Sequence, residues 1–164
     1  MPSLSEVIRR AARRDLPHIA ELAGALVRLH NATDPARFFL MDDVEKGYAW
    51  WLSRELERSG AVVLVAYRDE LCVGYAYGTL EERDWNMLLD AHGALHDVFV
   101  TEVARRGGLG RRLVMAMVDE LTRLGAPRVV LSTMVGNEAA QRLFRGCGFR
   151  PTMLEMTRDP TPAG

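Results

Sequence analysis

The amino-acid order predicts an α/β domain in which a mixed sheet is covered by helices on both faces. Three observations carry that expectation. Helical spacing of apolar residues gives way to β-rich runs from Val62 onward, a glycine-rich basic turn opens the clearest amphipathic helix, and the elements follow the order β-α-α-β-β-β-α-β-α-β.

Each element has a local reason. Glu6-Val7-Ile8-Arg9-Arg10 reads as a short first strand. Asp15 and Pro17 supply the chemistry of a helix start, ahead of Ile19, Leu22, Leu26 and Leu29 at helical spacing. Residues 31–41, beginning Asn31-Ala32-Thr33-Asp34-Pro35, read as a loop. A second helix is expected from Asp43 to Ser59, carrying Trp50, Trp51, Leu52 and Leu56, with Gly60 as its stop. Runs 62–67 and 72–77 are rich in β-branched and aromatic residues and meet through Arg68-Asp69-Glu70, which predicts an antiparallel hairpin. After a polar connection from Glu81 to Asp90, a third run covers Leu95 to Thr101. Beyond the glycine turn, Leu109, Leu113, Met117, Leu121 and Leu124 follow helical spacing and Gly125 ends the run. Arg128 to Met134 reads as a buried strand, Asn137 to Arg145 as a short helix, and Phe149 to Thr157 as a last strand.

Length and composition narrow the class. A chain of 164 residues, 48% hydrophobic and 26% charged, fills one core, so residues 1–158 read as a single domain and 159–164 as a frayed tail. Lys and Arg number 21 against 22 Asp and Glu, for a net charge of -1, which argues against nucleic acid as a partner. Arg9, Arg10, Arg13 and Arg14 read as a solvated strand end. No apolar run reaches the roughly 18 residues of a membrane span, and Met1 to Glu6 shows no secretory apolar region. These features predict a cytoplasmic protein with no membrane partner. Cys72 and Cys147 form neither a disulfide framework nor a metal spacing.

The chemistry begins at Arg105-Arg106-Gly107-Gly108-Leu109-Gly110-Arg111-Arg112-Leu113. Glycines let an anion approach the backbone, and the first helical amides point at it. A Walker loop is excluded because no Lys follows these glycines. A dinucleotide fingerprint is excluded because Leu113 stands where its third glycine belongs. What remains is Arg105-x-x-Gly108-x-Gly110, followed after the next strand by Asn137-Glu138-Ala139-Ala140-Gln141-Arg142-Leu143-Phe144 and Gly148-Phe149.

Together these motifs resemble the GNAT family of acyl-CoA-dependent N-acetyltransferases, and Ile8 to Pro17 looks like that family's opening. The resemblance implies a mostly antiparallel central sheet flanked by helices, with a central strand pair that splays at a bulge. It implies acetyl-CoA as co-substrate, held by backbone amides from Arg106 to Arg111, with Arg105, Gly107, Gly108, Leu109 and Gly110 in the loop and Asn137 and Phe144 bordering the thioester. Val98, Phe99 and Val100 would bind the pantetheine arm, and the Val100 N–H would be the oxyanion donor.

The implied reaction is direct attack of an amine on the thioester in a ternary complex. An amine with a pKa near ~10 must lose a proton first. His96 and Asp97, at the start of the central strand, are the leading bases, with Glu81 and Glu102 behind them. His92 and His96 are spaced i,i+4, but no metal is expected because the segment reads as strand. The chain departs from the family at Phe144, where a Tyr commonly protonates the leaving thiolate. Water, Tyr75 or Tyr77 are the substitutes. Acceptor specificity is expected from residues 31–59, the loop 81–90 and the last strand. Trp50, Trp51 and Trp85 are candidates for an apolar or cation-binding pocket, and Asp42, Asp43, Glu81, Glu82 and Asp84 for attraction of a cationic amine. A non-catalytic acyl-CoA-binding regulatory domain is the alternative, with Phe144 as its one positive sign. Open strand edges and aromatic helices point to a homodimer.

Overall fold

The computed structural model describes residues 5–160; the expectations for residues 1–4 and for 161–164 of the tail lie outside the described residues. One five-stranded sheet runs in the order β1 (Glu6–Arg10), β2 (Ala61–Arg68), β3 (Leu71–Glu81), β4 (His92–Val100), β5 (Val129–Leu131). The first four strands are antiparallel neighbours, and β4 and β5 are parallel. Helices α1 (Leu16–Thr33) and α2 (Val44–Glu55) cover one face, while α3 (Leu109–Arg123) and α4 (Glu138–Gly146) cover the other.

Alternation along the strands separates the two cores. Val63, Val65, Tyr75 and Tyr77 pack with Leu16, Ile19, Ala23 and Leu52 on the first face. Val62, Leu64, Val73, Ala76 and Leu95 pack with Leu113, Val114, Met117 and Leu121 of α3 on the second. Gly78 makes the close approach of α3 possible, because a Cβ there would meet Met117 Sδ and the Ala94 carbonyl oxygen at 2.9 Å.

Asp15 fastens α1 to the sheet. It is 1% exposed, accepts from the Arg9 guanidinium at 2.7 and 2.9 Å and from the Ala12 amide at 2.8 Å, and receives the Tyr67 hydroxyl at 3.0 Å. The Arg9 hydrogen bonds hold its carboxyl down at about 2. Three of the four arginines of the basic cluster are thus engaged by carboxylates: Arg9 with Asp15, Arg10 with Glu120 and Arg13 with Glu57.

Several boundaries differ from expectation. The first helix runs through Thr33, where Thr33 Oγ1 donates to the Leu29 carbonyl, so the loop begins at Asp34 rather than at Asn31. Strand β4 starts at His92, three residues before the expected Leu95, because Ala94, Gly93 and His92 continue the ladder opposite Thr79, Leu80 and Glu81. His96 and Asp97 therefore lie within the strand, not at its entry. Strand β5 stops at Leu131 instead of Met134. Residues 149–157 do not form the expected last strand; Met153, Leu154 and Met156 are exposed, and Glu155 is held to Arg37 by an ion pair instead of a ladder. Among the described residues no helix is long and apolar enough to cross a membrane.

Candidate active site

The splay of the last strand pair positions the site. Strand β5 pairs with Gly93, Ala94 and Leu95 and then ends, while β4 continues to Val100. The divergence coincides with a bulge: Tyr77 pairs with Asp97 and Gly78 with Leu95, leaving His96 as the extra residue. From there to Val100, β4 has an open edge. The Thr101 amide donates to the Val73 carbonyl at 2.9 Å, so by antiparallel alternation the N–H groups of Val98 and Val100 point away from β3 and into that edge.

At the far end of the edge stands the glycine turn. Arg106 has φ 68° and Gly108 has φ 76°, two left-handed residues flanking Gly107. Only glycine takes that geometry without strain, and the reversal turns successive N–H groups to one side. Among the described residues, none of the backbone amides from Arg106 to Arg111 has a hydrogen-bond acceptor. The first α3 bond at this end is from the Arg112 amide to the Gly108 carbonyl at 3.1 Å, and no side chain caps the helix. Six unsatisfied donors at a helix N-terminus fit a phosphate or pyrophosphate.

The arginine side chains of the turn brace it. Arg112 donates to the Gly107 carbonyl at 3.3 Å and pairs with Glu6, which also accepts from Arg68. Arg111 donates to the Gly146 carbonyl at 2.5 Å and so joins α3 to α4. Arg105 Nε donates to the Val100 carbonyl at 3.0 Å, with its guanidinium carbon 5.8 Å from the Phe99 ring centre. Leu109 is buried, anchoring the turn to the core. Asn137 caps α4, its Oδ1 accepting from the Ala140 amide at 3.0 Å. Phe144 packs edge-on against Phe149 at 6.1 Å and carries no hydroxyl toward the open edge.

The α1/α2 face of β3 and β4 holds the titratable groups. His96 Nε2 lies 2.8 Å from Thr79 Oγ1 and 3.8 Å from Glu81 Oε1, and its ring stacks on Tyr77 with centres 5.2 Å apart. It lines an open cleft of about 600 Å³ together with Glu81, Glu82, Asp84, Trp85 and His92. Asp97 is partly buried and accepts from the Tyr75 hydroxyl at 3.0 Å; burial pushes its carboxyl up. The Tyr77 hydroxyl donates to Glu55, and burial pushes both Tyr75 and Tyr77 well up from the usual phenol range.

The expected site residues thus fall into two groups, the turn with the β4 edge and the cleft around His96. Glu102 lies outside both, exposed in a single helical turn after β4. Trp85 lines the cleft. Trp51 packs instead on Tyr48 and Tyr77, and Trp50 is exposed beneath the Arg54 guanidinium. Asp84 accepts from the Asn86 and Met87 amides and so shapes the loop. Thr79 escaped sequence reasoning because β3 was expected to end at Tyr77. The alternation Tyr75, Tyr77, Thr79, Glu81 was the signal that could have placed it on this face.

The fold and site define an α/β protein with a turn of acceptor-free amides beside a parallel strand pair that parts after Leu131. The chain belongs to the Acetyltransferase (GNAT) family, whose family model matches residues 23–149. An L-methionine sulfoximine/L-methionine sulfone acetyltransferase of Salmonella typhimurium is 31% identical over 112 residues, 67% of this chain and 61% of that protein. The L-amino acid N-acyltransferase MnaT of Escherichia coli is 30% identical over 109 residues, 65% of this chain and 59% of its own length. The matches therefore span about three fifths of these two relatives. Among solved structures, an aminoglycoside N-acetyltransferase, AAC(6')-Iy, in complex with CoA shares the fold with a TM-score of 0.75 at 18% identity, over 98% of both chains.

Proposed function

We propose that this chain transfers an acetyl group from acetyl-CoA to a primary amine by direct attack in a ternary complex. The observation that carries this reading is the run of six acceptor-free amides, Arg106 to Arg111, at one end of an open strand edge whose Val98 and Val100 N–H groups face outward. The turn would hold the coenzyme pyrophosphate, and Val98 and Val100 the pantetheine arm and thioester. When bound, the thioester supplies the electrophilic acyl carbon.

The chain's own groups then have separate tasks. The Val100 N–H stabilises negative charge on the acyl oxygen, a contribution typically worth ~3-4 kcal/mol. His96, four β4 residues from Val100, removes the amine proton through intervening water. It is preferred to Asp97 because it opens onto the cleft, whereas the Asp97 carboxylate is engaged by Tyr75. Phe144 has no proton to give, and the hydroxyls of Tyr75 and Tyr77 are committed to Asp97 and Glu55, so these three residues do not protonate the departing sulfur.

The acceptor enters from the cleft lined by Glu81, Glu82 and Asp84. Arg83 in the same loop is paired with Asp90, which leaves the carboxylates to attract a cationic amine. The test is thiol release from acetyl-CoA over a panel containing L-methionine sulfone, an aliphatic diamine, a lysine peptide and an aminoglycoside. Turnover of one acceptor is expected. Tight coenzyme A binding with no turnover of any would replace this reading with a non-catalytic acyl-CoA-binding domain.

A further inference from the structure

Thr79 is 1% exposed and stands between His96 and Glu81, in hydrogen-bond contact with both. A hydroxyl has one hydrogen. Here it is donated to Glu81 Oε1, so Thr79 Oγ1 offers only lone pairs to the ring 2.8 Å away at His96 Nε2. The imidazole must therefore carry its hydrogen at Nε2, which leaves the lone pair at Nδ1. Among the described residues Nδ1 has no hydrogen-bond partner.

The ring plane is fixed as well as its tautomer. It stacks on Tyr77 with an interplanar angle of 26°, and Tyr77 is anchored through its hydroxyl to Glu55 of α2. His96 has little choice of plane despite its exposed position on the bulge.

We propose that Thr79 and Glu81 are positioning residues that hold His96 in the Nε2–H form, turn Nδ1 to the acceptor amine and stabilise the imidazolium formed when it takes the proton. The inference rests on the reading of His96 as the base. The proton balance is simple: one proton passes from the amine nitrogen to Nδ1, the Nε2 proton stays on the bond to Thr79, and Glu81 remains ionised 3.8 Å away. Other groups also face the ring. Tyr77 comes from β3, His92 from β4, and Glu82, Asp84 and the Asp90-paired Arg83 from the loop along the cleft, with the neighbouring Asp97 carboxylate near enough to interact with the ring electrostatically. A Thr79→Val variant cuts the link while leaving all of these charges in place.

Long-range nitrogen–proton NMR on protein labelled with [15N]histidine reads the tautomer directly, with His96 assigned by the signals lost in His96→Gln. The Nε2–H form is expected in the unmodified protein and in Thr79→Ser, and a mixture in Thr79→Val. With the acceptor turned over best in the panel, Thr79→Val and Glu81→Gln should each lower kcat roughly 10-fold while KM for acetyl-CoA stays within about twofold. Thr79→Ser should restore kcat. An Nδ1–H form in the unmodified protein overturns the proposal. So does a Thr79→Val protein with unchanged tautomer. Failure of every acceptor in the panel strikes the transferase reading instead, and the tautomer measurement still decides this one.

Discussion

At the glycine turn the free polar groups are backbone amides from six consecutive residues, whereas at the cleft the polar groups are side chains on separate strands, brought together by a bulge. The first arrangement needs only a local conformation, set by left-handed residues at Arg106 and Gly108 and held by Arg112, Glu6 and Arg68. The second needs the register of β3 against β4. A local device tolerates side-chain replacement but not a change of its own backbone geometry; a device built by register tolerates neither loss of its side chains nor a shift of one strand against the other.

Of four measurements, three test the two regions separately. The largest effect is expected from His96→Gln, with kcat falling by about 10²–10⁴ while the coenzyme A dissociation constant is unchanged. Stopped-flow turnover and calorimetry together check it, and equal loss in both quantities would show that the two regions are not separable. Gly108→Asp should do the reverse. At φ 76° it adds strain, and its carboxylate turns on the same amides that would hold the pyrophosphate, so coenzyme A binding should weaken about 10²-fold or more. Unchanged affinity would refute the site.

A third measurement tests the joint between α1 and the sheet, away from both regions. Asp15 ties α1 to β1 and β2, and its carboxyl is held at about 2 against an ordinary 3.8. A lowered folded-state value stabilises the native form above the unfolded value and loses that contribution as pH falls through the folded one. Asp15→Asn should therefore cost about 2 kcal/mol at pH 7 in urea unfolding, with the difference shrinking between about pH 4 and pH 2. A gap independent of pH would point to packing instead of charge. The smallest effect belongs to Arg112→Ala. Its side chain is half exposed and braces the turn without supplying the amides, so coenzyme A affinity should drop less than about 10-fold. A loss as large as that of Gly108→Asp would mean that the side chain, not the backbone, holds the anion.

Legibility in the sequence followed the same division. Helix α3 and the turn before it were readable because helical spacing, glycine punctuation and the absence of a Walker lysine are all local facts. The hairpin of β2 and β3 was readable from two β-rich runs and a polar joint. The reach of β4 back to His92 was hidden, since His92-Gly93-Ala94 has little strand propensity and is held by pairing with Glu81, Leu80 and Thr79. The last strand failed for the converse reason. Residues 149–157 have β-like composition, but propensity alone forms no strand where no ladder partner is present.

What the sequence determined by itself was the kind of domain, the glycine turn and the missing hydroxyl at Phe144, because each is written in neighbouring residues. What the tertiary structure decided was that His96 is the bulged residue of β4, that Thr79 and Glu81 meet it, and that Tyr75 and Tyr77 have their hydroxyls engaged elsewhere. Those contacts join positions far apart in the chain. Strand register sets them, and a shift of one residue would have sent every one of these side chains to the opposite face.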